Sequence, residues 1–115
     1  MIYMLLICYD STIPAEPNAV NRQPEHAKLE QEMRENGVYL GGAALWPIGA
    51  GGKTIRQSAG EALVTDGPFA ETKEAIGGFF IVDCGENEAA AYAKRIPVDA
   101  RSWVEMRRVA LWHPK

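Results

Sequence analysis

The chain has 115 residues, with 12 Lys and Arg against 15 Asp and Glu and a net charge of -3. That length allows one hydrophobic core and excludes two independent ones, so residues 1–115 read as a single domain. The weak negative charge gives no electrostatic reason to expect nucleic acid as a partner. Arg101, Arg107, Arg108 and Lys115 gather late in the chain, but Glu105 interrupts them, which suits a solvated strand face better than a phosphate patch.

The first ten residues, MIYMLLICYD, are apolar without a basic start or a small-residue cleavage site. The run is too short for a signal peptide or for a membrane span, which needs about 18 apolar residues. A cytoplasmic protein with no membrane contact is expected. Residues 2–9 are apolar on both faces, the pattern of a central strand covered on one side by helices and on the other by a second sheet. Residues 11–23 are polar, carry Pro14 and Pro17, and form a connection. From Pro24 to Asn36 the spacing is helical: Pro24 is tolerated in the first turn, His26, Leu29 and Met33 share a face, and Asn36-Gly37 is a stop signal.

Residues 38–46 read as a strand weakened by Gly41-Gly42, where a bulge or close backbone approach is expected. Residues 54–57 and 62–65 form a hairpin turned at Ser58-Ala59-Gly60-Glu61. Residues 77–84, with Phe79-Phe80-Ile81-Val82, are a second strongly apolar strand. Ala89, Tyr92, Ala93 and Ile96 recur at helical spacing until Pro97 ends the run. Residues 104–112 form the last strand. The order is βαββαβ with a hairpin inserted in its middle, which fits an α+β sandwich of ferredoxin-like type with both helices on one sheet face. The other face is apolar and would be wet in a monomer, so a homodimer joined through sheet faces is expected.

The richest local signal is Val64-Thr65-Asp66-Gly67-Pro68-Phe69-Ala70-Glu71-Thr72-Lys73-Glu74. Asp-Gly-Pro has the chemistry of a tight reversal: an Asp that caps its own turn, a Gly free in φ, and a Pro with fixed φ and no donor. Together with Tyr3-Met4-Leu5-Leu6-Ile7, His26, Gly37-Val38, Gly41-Gly42 and Gly77-Gly78-Phe79, this stretch makes the chain resemble the DGPF type of the YCII-related family. The resemblance implies a ferredoxin-like fold dimerising into an α/β barrel. It also implies a His used with an Asp at a cleft, some relatives that act as lyases or dehydrochlorinases on small ring-derived acids, and genes that neighbour extracytoplasmic-function sigma factors. His26 matches the family's first-helix His, and Asp66 matches the DGPF Asp.

On residue chemistry, His26 is either a hydrogen-bonded core residue or, with Asp66 fixing its tautomer, a general acid/base. Lys73 and the backbone donors at Gly67 are candidates to hold an anionic substrate, with Phe69 as the loop's bulky aromatic. Tyr9 ends the first strand, which is expected to lie parallel to residues 77–84, and is a candidate wall of the same cleft. Gly49-Ala50-Gly51-Gly52-Lys53-Thr54 lacks the spacing of a phosphate loop, so no nucleotide site is read there. Cys8 and Cys84 lack metal or redox spacing and are expected as buried thiols. His113 lies far from partner ligands, and Trp46, Trp103 and Trp112 read as core or interface anchors. No metal and no cofactor is expected. Three functions remain: a cofactor-independent lyase or isomerase using His26 and Asp66 on a small acidic substrate, a non-catalytic sensor of such a ligand, and an accessory of a sigma factor.

Overall fold

A computed structural model describes residues 1–15, 23–68 and 74–115. In chain order its elements are β1 (Ile2–Asp10), α1 (Gln23–Glu35), β2 (Tyr39–Ala44), β3 (Lys53–Ser58), β4 (Glu61–Asp66), β5 (Glu74–Asp83), α2 (Glu86–Arg95) and β6 (Ser102–Arg108). Four strands form one sheet in the order β2-β5-β1-β6, and β3 with β4 forms a separate two-stranded ribbon. The protein is thus an α+β fold with the antiparallel sheet and two helices of the ferredoxin-like pattern, and the expected hairpin is inserted between β2 and β5.

One expectation is corrected. β1 and β5 run antiparallel, not parallel, with Ile2 opposite Asp83 and Asp10 opposite Glu74. In a split βαβ unit the parallel pair is β1 and β2, and the third strand threads back between them. The reversal carries Tyr9 and Asp10 to the start of β5, opposite Ala75 and Glu74. It also explains two shifted boundaries. β5 begins three residues before Gly77 because β1 continues to Asp10 and supplies its partner. β6 stops at Arg108, short of Trp112, because β1 has only Ile2 left to pair beyond Tyr3↔Arg108, and Val109 N–H closes the ladder on the Ile2 carbonyl at 2.8 Å.

Strand alternation sets the core. Tyr3 and Leu5 from β1, and Phe80 and Val82 from β5, face Leu29 and Met33 of α1 and Ala89 and Tyr92 of α2; Val38 and Ile96 close the cluster. Leu5, Met33 and Val82 are sealed from solvent. The helix α1 ends in a Schellman turn: Gly37 takes φ +72°, its N–H reaches the Arg34 carbonyl, and Val38 N–H reaches the Met33 carbonyl. Asn36 Nδ2 donates to the Tyr92 hydroxyl at 2.7 Å, and Arg95 pairs with Glu32, so the two helices are tied to each other as well as to the sheet.

The opposite face carries Met4, Leu6, Phe79 and Ile81, with Trp103 at its β6 side. Neither helix lies on it. Several single-residue expectations change here. Trp46 is 85% exposed and Trp103 37%, which removes the core alternative of their reading and leaves the interface one. Cys8 is buried but Cys84 only half-buried. Arg101 is not a solvated strand residue: its guanidinium lies 4.6 Å from the Tyr9 ring centroid and 3.6 Å from the Asp99 carboxylate.

Candidate functional site

A hollow of about 330 Å³ opens where α1 meets the β2–β5 edge, lined by Ile7, His26, Ala27, Glu30, Phe79, Phe80 and the small residues 42–44 and 77–78. That volume lies within the range of small-molecule sites. The sequence makes it in two ways. On α1, His26 and Glu30 stand four residues apart and therefore point from the same face. On the sheet, Gly42 and Gly78 leave no side chain between β2 and β5. A Cβ at Gly42 would sit 2.8 Å from the Phe79 carbonyl, and one at Gly78 would sit 2.6 Å from the Ala43 carbonyl. A register shift at Ile7/Cys8, between their partners Gly78 and Ile76, bends the backbone beside the hollow, whereas the shift on the β2 side, at Tyr39/Gly41, lies farther along β5 at Val82 and Ile81.

The His26 imidazole stacks on Phe80, with ring centroids 6.3 Å apart and planes 25° from parallel. Glu30 is held from behind: its Oε1 accepts from the Tyr39 hydroxyl at 3.1 Å and its Oε2 from Arg34 Nε at 3.3 Å. Arg34 also lies 4.3 Å from the Tyr39 ring centroid. Burial pushes the Tyr39 phenol up, and its hydrogen bond to the Glu30 carboxylate pushes it further. The result is an imidazole and a positioned carboxylate one helical turn apart against an apolar wall. Such a pair can take a proton from a bound molecule and stabilise the imidazolium that forms.

Asp66 lies elsewhere. It lines a second hollow with Gly49, Gly51, Gly52, Lys53, Gly67 and Pro68, and its carboxylate pairs with Lys53. Its side chain is 87% exposed. The Asp-Gly-Pro turn does structural work at the root of the ribbon. Gly67 adopts φ +78°, its N–H donates to the Gly52 carbonyl at 2.8 Å, and its carbonyl accepts from the Thr54 hydroxyl at 2.7 Å. The Gly67 donor expected to hold an anion is therefore already used. Within one subunit His26 and Asp66 line different hollows. Tyr9 backs the first hollow rather than lining it, since a Cβ on Gly77 would meet the Tyr9 ring at 3.5 Å. Phe69 and Lys73 lie outside the described residues. Glu30 is the site residue that sequence reading missed, and its signal was the four-residue spacing from His26.

Among the described residues no cluster of three or more His, Cys, Asp or Glu is arranged to hold a metal ion, and no helix is long and apolar enough to cross a membrane. The Cys8 thiol is pushed up by burial, and secondarily by Glu105 and Glu74; burial and Glu88 do the same to Cys84. Thiols held in that direction are poor nucleophiles.

Comparison with known proteins agrees with this architecture. The chain is 30% identical over 122 aligned positions, covering 99% of it and 96% of its relative, to an uncharacterized protein of Rhizobium meliloti (strain 1021). The family model of the YCII-related domain matches residues 1–113, and the chain belongs to that family.

Proposed function

We propose that the protein binds a small molecule in the hollow beneath α1 and that His26, assisted by Glu30, moves a proton on it. The observation that carries this reading is the placement of an imidazole and a carboxylate one turn apart in a hollow whose remaining walls are apolar or glycine. The second hollow is the weaker candidate, because its two charged groups are largely solvated and already neutralise each other. Proton abstraction leading to elimination or isomerisation is the chemistry such a pair supports without a cofactor. The expectation of an acidic substrate gains no support from the described lining. Glu30 lines the hollow with its charge paired to Arg34 from behind, and the described lining itself contains no Lys or Arg. A ligand with an apolar body and one hydrogen-bonding or acidic C–H group fits better. In this reading Asp66 serves the ribbon root rather than the proton transfer. No residue described here favours the sigma-factor role.

The same reading has two copies closing sheet face to sheet face, because Met4, Leu6 and Phe79 are apolar and only half-buried on a sheet face that neither helix covers, beside the buried Ile81. Light scattering on the intact chain measures that state directly.

The test for the site is a thermal-shift screen of small metabolites on the wild type, followed by His26→Ala and Glu30→Gln. A true ligand raises the wild-type melting temperature and loses most of that effect in His26→Ala. Solvent deuterium entering a C–H bond of the recovered ligand identifies proton transfer, whereas unaltered ligand identifies sensing alone. A ligand that stabilises wild type and His26→Ala equally would overturn the assignment of this hollow.

A further inference from the structure

Tyr39 does not line the hollow, yet it is the residue through which the sheet grips Glu30. Its placement begins with the register of β2. Tyr39 stands opposite Val82, Gly41 opposite Ile81 and Gly42 opposite Phe80. Leu40 is therefore the extra residue of a bulge, and Tyr39 and Gly42 both face α1, with Val82 and Phe80. In a regular strand two residues at that spacing point to opposite faces. Gly42 then leaves the room that the phenol needs: a Cβ there would lie 3.1 Å from the Tyr39 hydroxyl.

The phenol is held on three sides. Its ring meets Phe80 edge-on with centroids 6.5 Å apart, the Arg34 guanidinium lies over its face, and its hydroxyl donates to Glu30 Oε1. Phe80 is also the ring on which His26 stacks, so one buried side chain packs against both the imidazole and the phenol. Of the two groups that hold Glu30, Arg34 is the weaker. Its side chain is 54% exposed and that of Glu30 38%, and ion pairs so solvated contribute at most about 1 kcal/mol. The Tyr39 hydrogen bond is partly buried. Each carboxylate oxygen has a further acceptor site, so Glu30 can be held from behind and still act on the hollow it lines.

We propose that Tyr39 is a positioning residue for the acid/base pair, its hydroxyl fixing the Glu30 carboxylate where it supports a charged His26 ring. The inference rests on the reading of His26 and Glu30 as a pair and adds what sets the pair's geometry. Burial raises the Tyr39 phenol, and the bond to Glu30 raises it further, so the hydroxyl keeps its proton throughout the range in which an imidazole titrates. Among the described lining residues, β1, β2 and β5 supply only aliphatic, glycine and phenylalanine side chains. On α1, Glu25 and Lys28 lie off the face that His26 and Glu30 share. The charges that bear on the imidazole from the described site are thus Glu30 and, behind it, Arg34.

The chain has two histidines, His26 and His113, so the His26 imidazole can be followed through pH by nuclear magnetic resonance in a His113→Gln background. Glu30→Gln is expected to lower its proton affinity about threefold, because a nearby carboxylate favours the charged ring. Tyr39→Phe removes one oxygen and keeps the ring's contacts with Arg34 and Phe80. It is expected to give most of that fall, about twofold, with the far-ultraviolet spectrum unchanged. An unmoved His26 titration in Tyr39→Phe beside a lowered one in Glu30→Gln would overturn the positioning role and leave the pair standing, even if Tyr39→Phe is less stable. A titration unmoved in both variants would overturn the coupling of imidazole and carboxylate, and with it the pair.

Discussion

Single atoms decide the shape of the hollow. A methyl group on Gly78 would lie 2.6 Å from the Ala43 carbonyl, whereas at Gly41 nothing lies within 4 Å. Gly78→Ala should therefore cost about 1–3 kcal/mol of stability through overpacking. Gly41→Ala should change it by less than about 1 kcal/mol. Urea unfolding of the two variants measures the contrast, and equal costs would remove the close approach as the reason for Gly78. Cys8 and Cys84 should react with iodoacetamide at neutral pH more slowly than an unshielded thiol, since burial disfavours both thiolates. At this scale the sequence was only half legible. His26 stood out as an imidazole on an apolar helix face, and Gly41-Gly42 stood out as a place of close approach. Glu30 did not, because a Glu on a solvated-looking helix says nothing until Tyr39 and Arg34 are seen to hold it.

Among the elements, order and type were readable from periodicity, and register was not. Hydrophobic alternation marks a strand but not its direction, which is why β1 and β5 were expected parallel; only the pairing of Asp10 with Glu74 reveals the reversal. Asp-Gly-Pro was equally legible as a turn, yet its use lay with Gly52, Lys53 and Thr54, residues that local pattern does not connect to it. The ion pair of Asp66 with Lys53 is largely solvated, so Asp66→Asn should cost less than about 1 kcal/mol. Amide exchange in β3 and β4 should quicken while ligand binding at His26 persists; loss of binding instead would return Asp66 to the site. Ala59 holds a left-handed backbone, and Ala59→Gly should relieve about 1 kcal/mol of local strain, seen as slower exchange of the same amides.

For the molecule as a whole, pH reports on its fastenings. Arg95 hydrogen-bonds Glu32 and holds its carboxyl below the ordinary 4.5. That contribution is present above the unfolded value and is lost as pH falls through the lower folded one. Tyr39 behaves oppositely, because its phenol is raised above the ordinary 10.0. Its contribution is full below that value and disappears as pH climbs through the folded one. Ultraviolet titration of phenolate should show one tyrosine ionising late, and Glu30→Gln should bring it earlier. The helix-free face and the outlying ribbon were foreseeable only in part: the apolar run of residues 2–9 announced a second covered side, but no pattern within one chain names what covers it. One bond links these distant parts. Leu45 N–H donates to the carbonyl of Gly77 at 2.8 Å, tying the segment that leads out to the ribbon to the floor of the hollow beneath α1. Whatever restrains the hollow thereby restrains the segment that leads to the ribbon, and slower amide exchange at Leu45 is the signal that would register it.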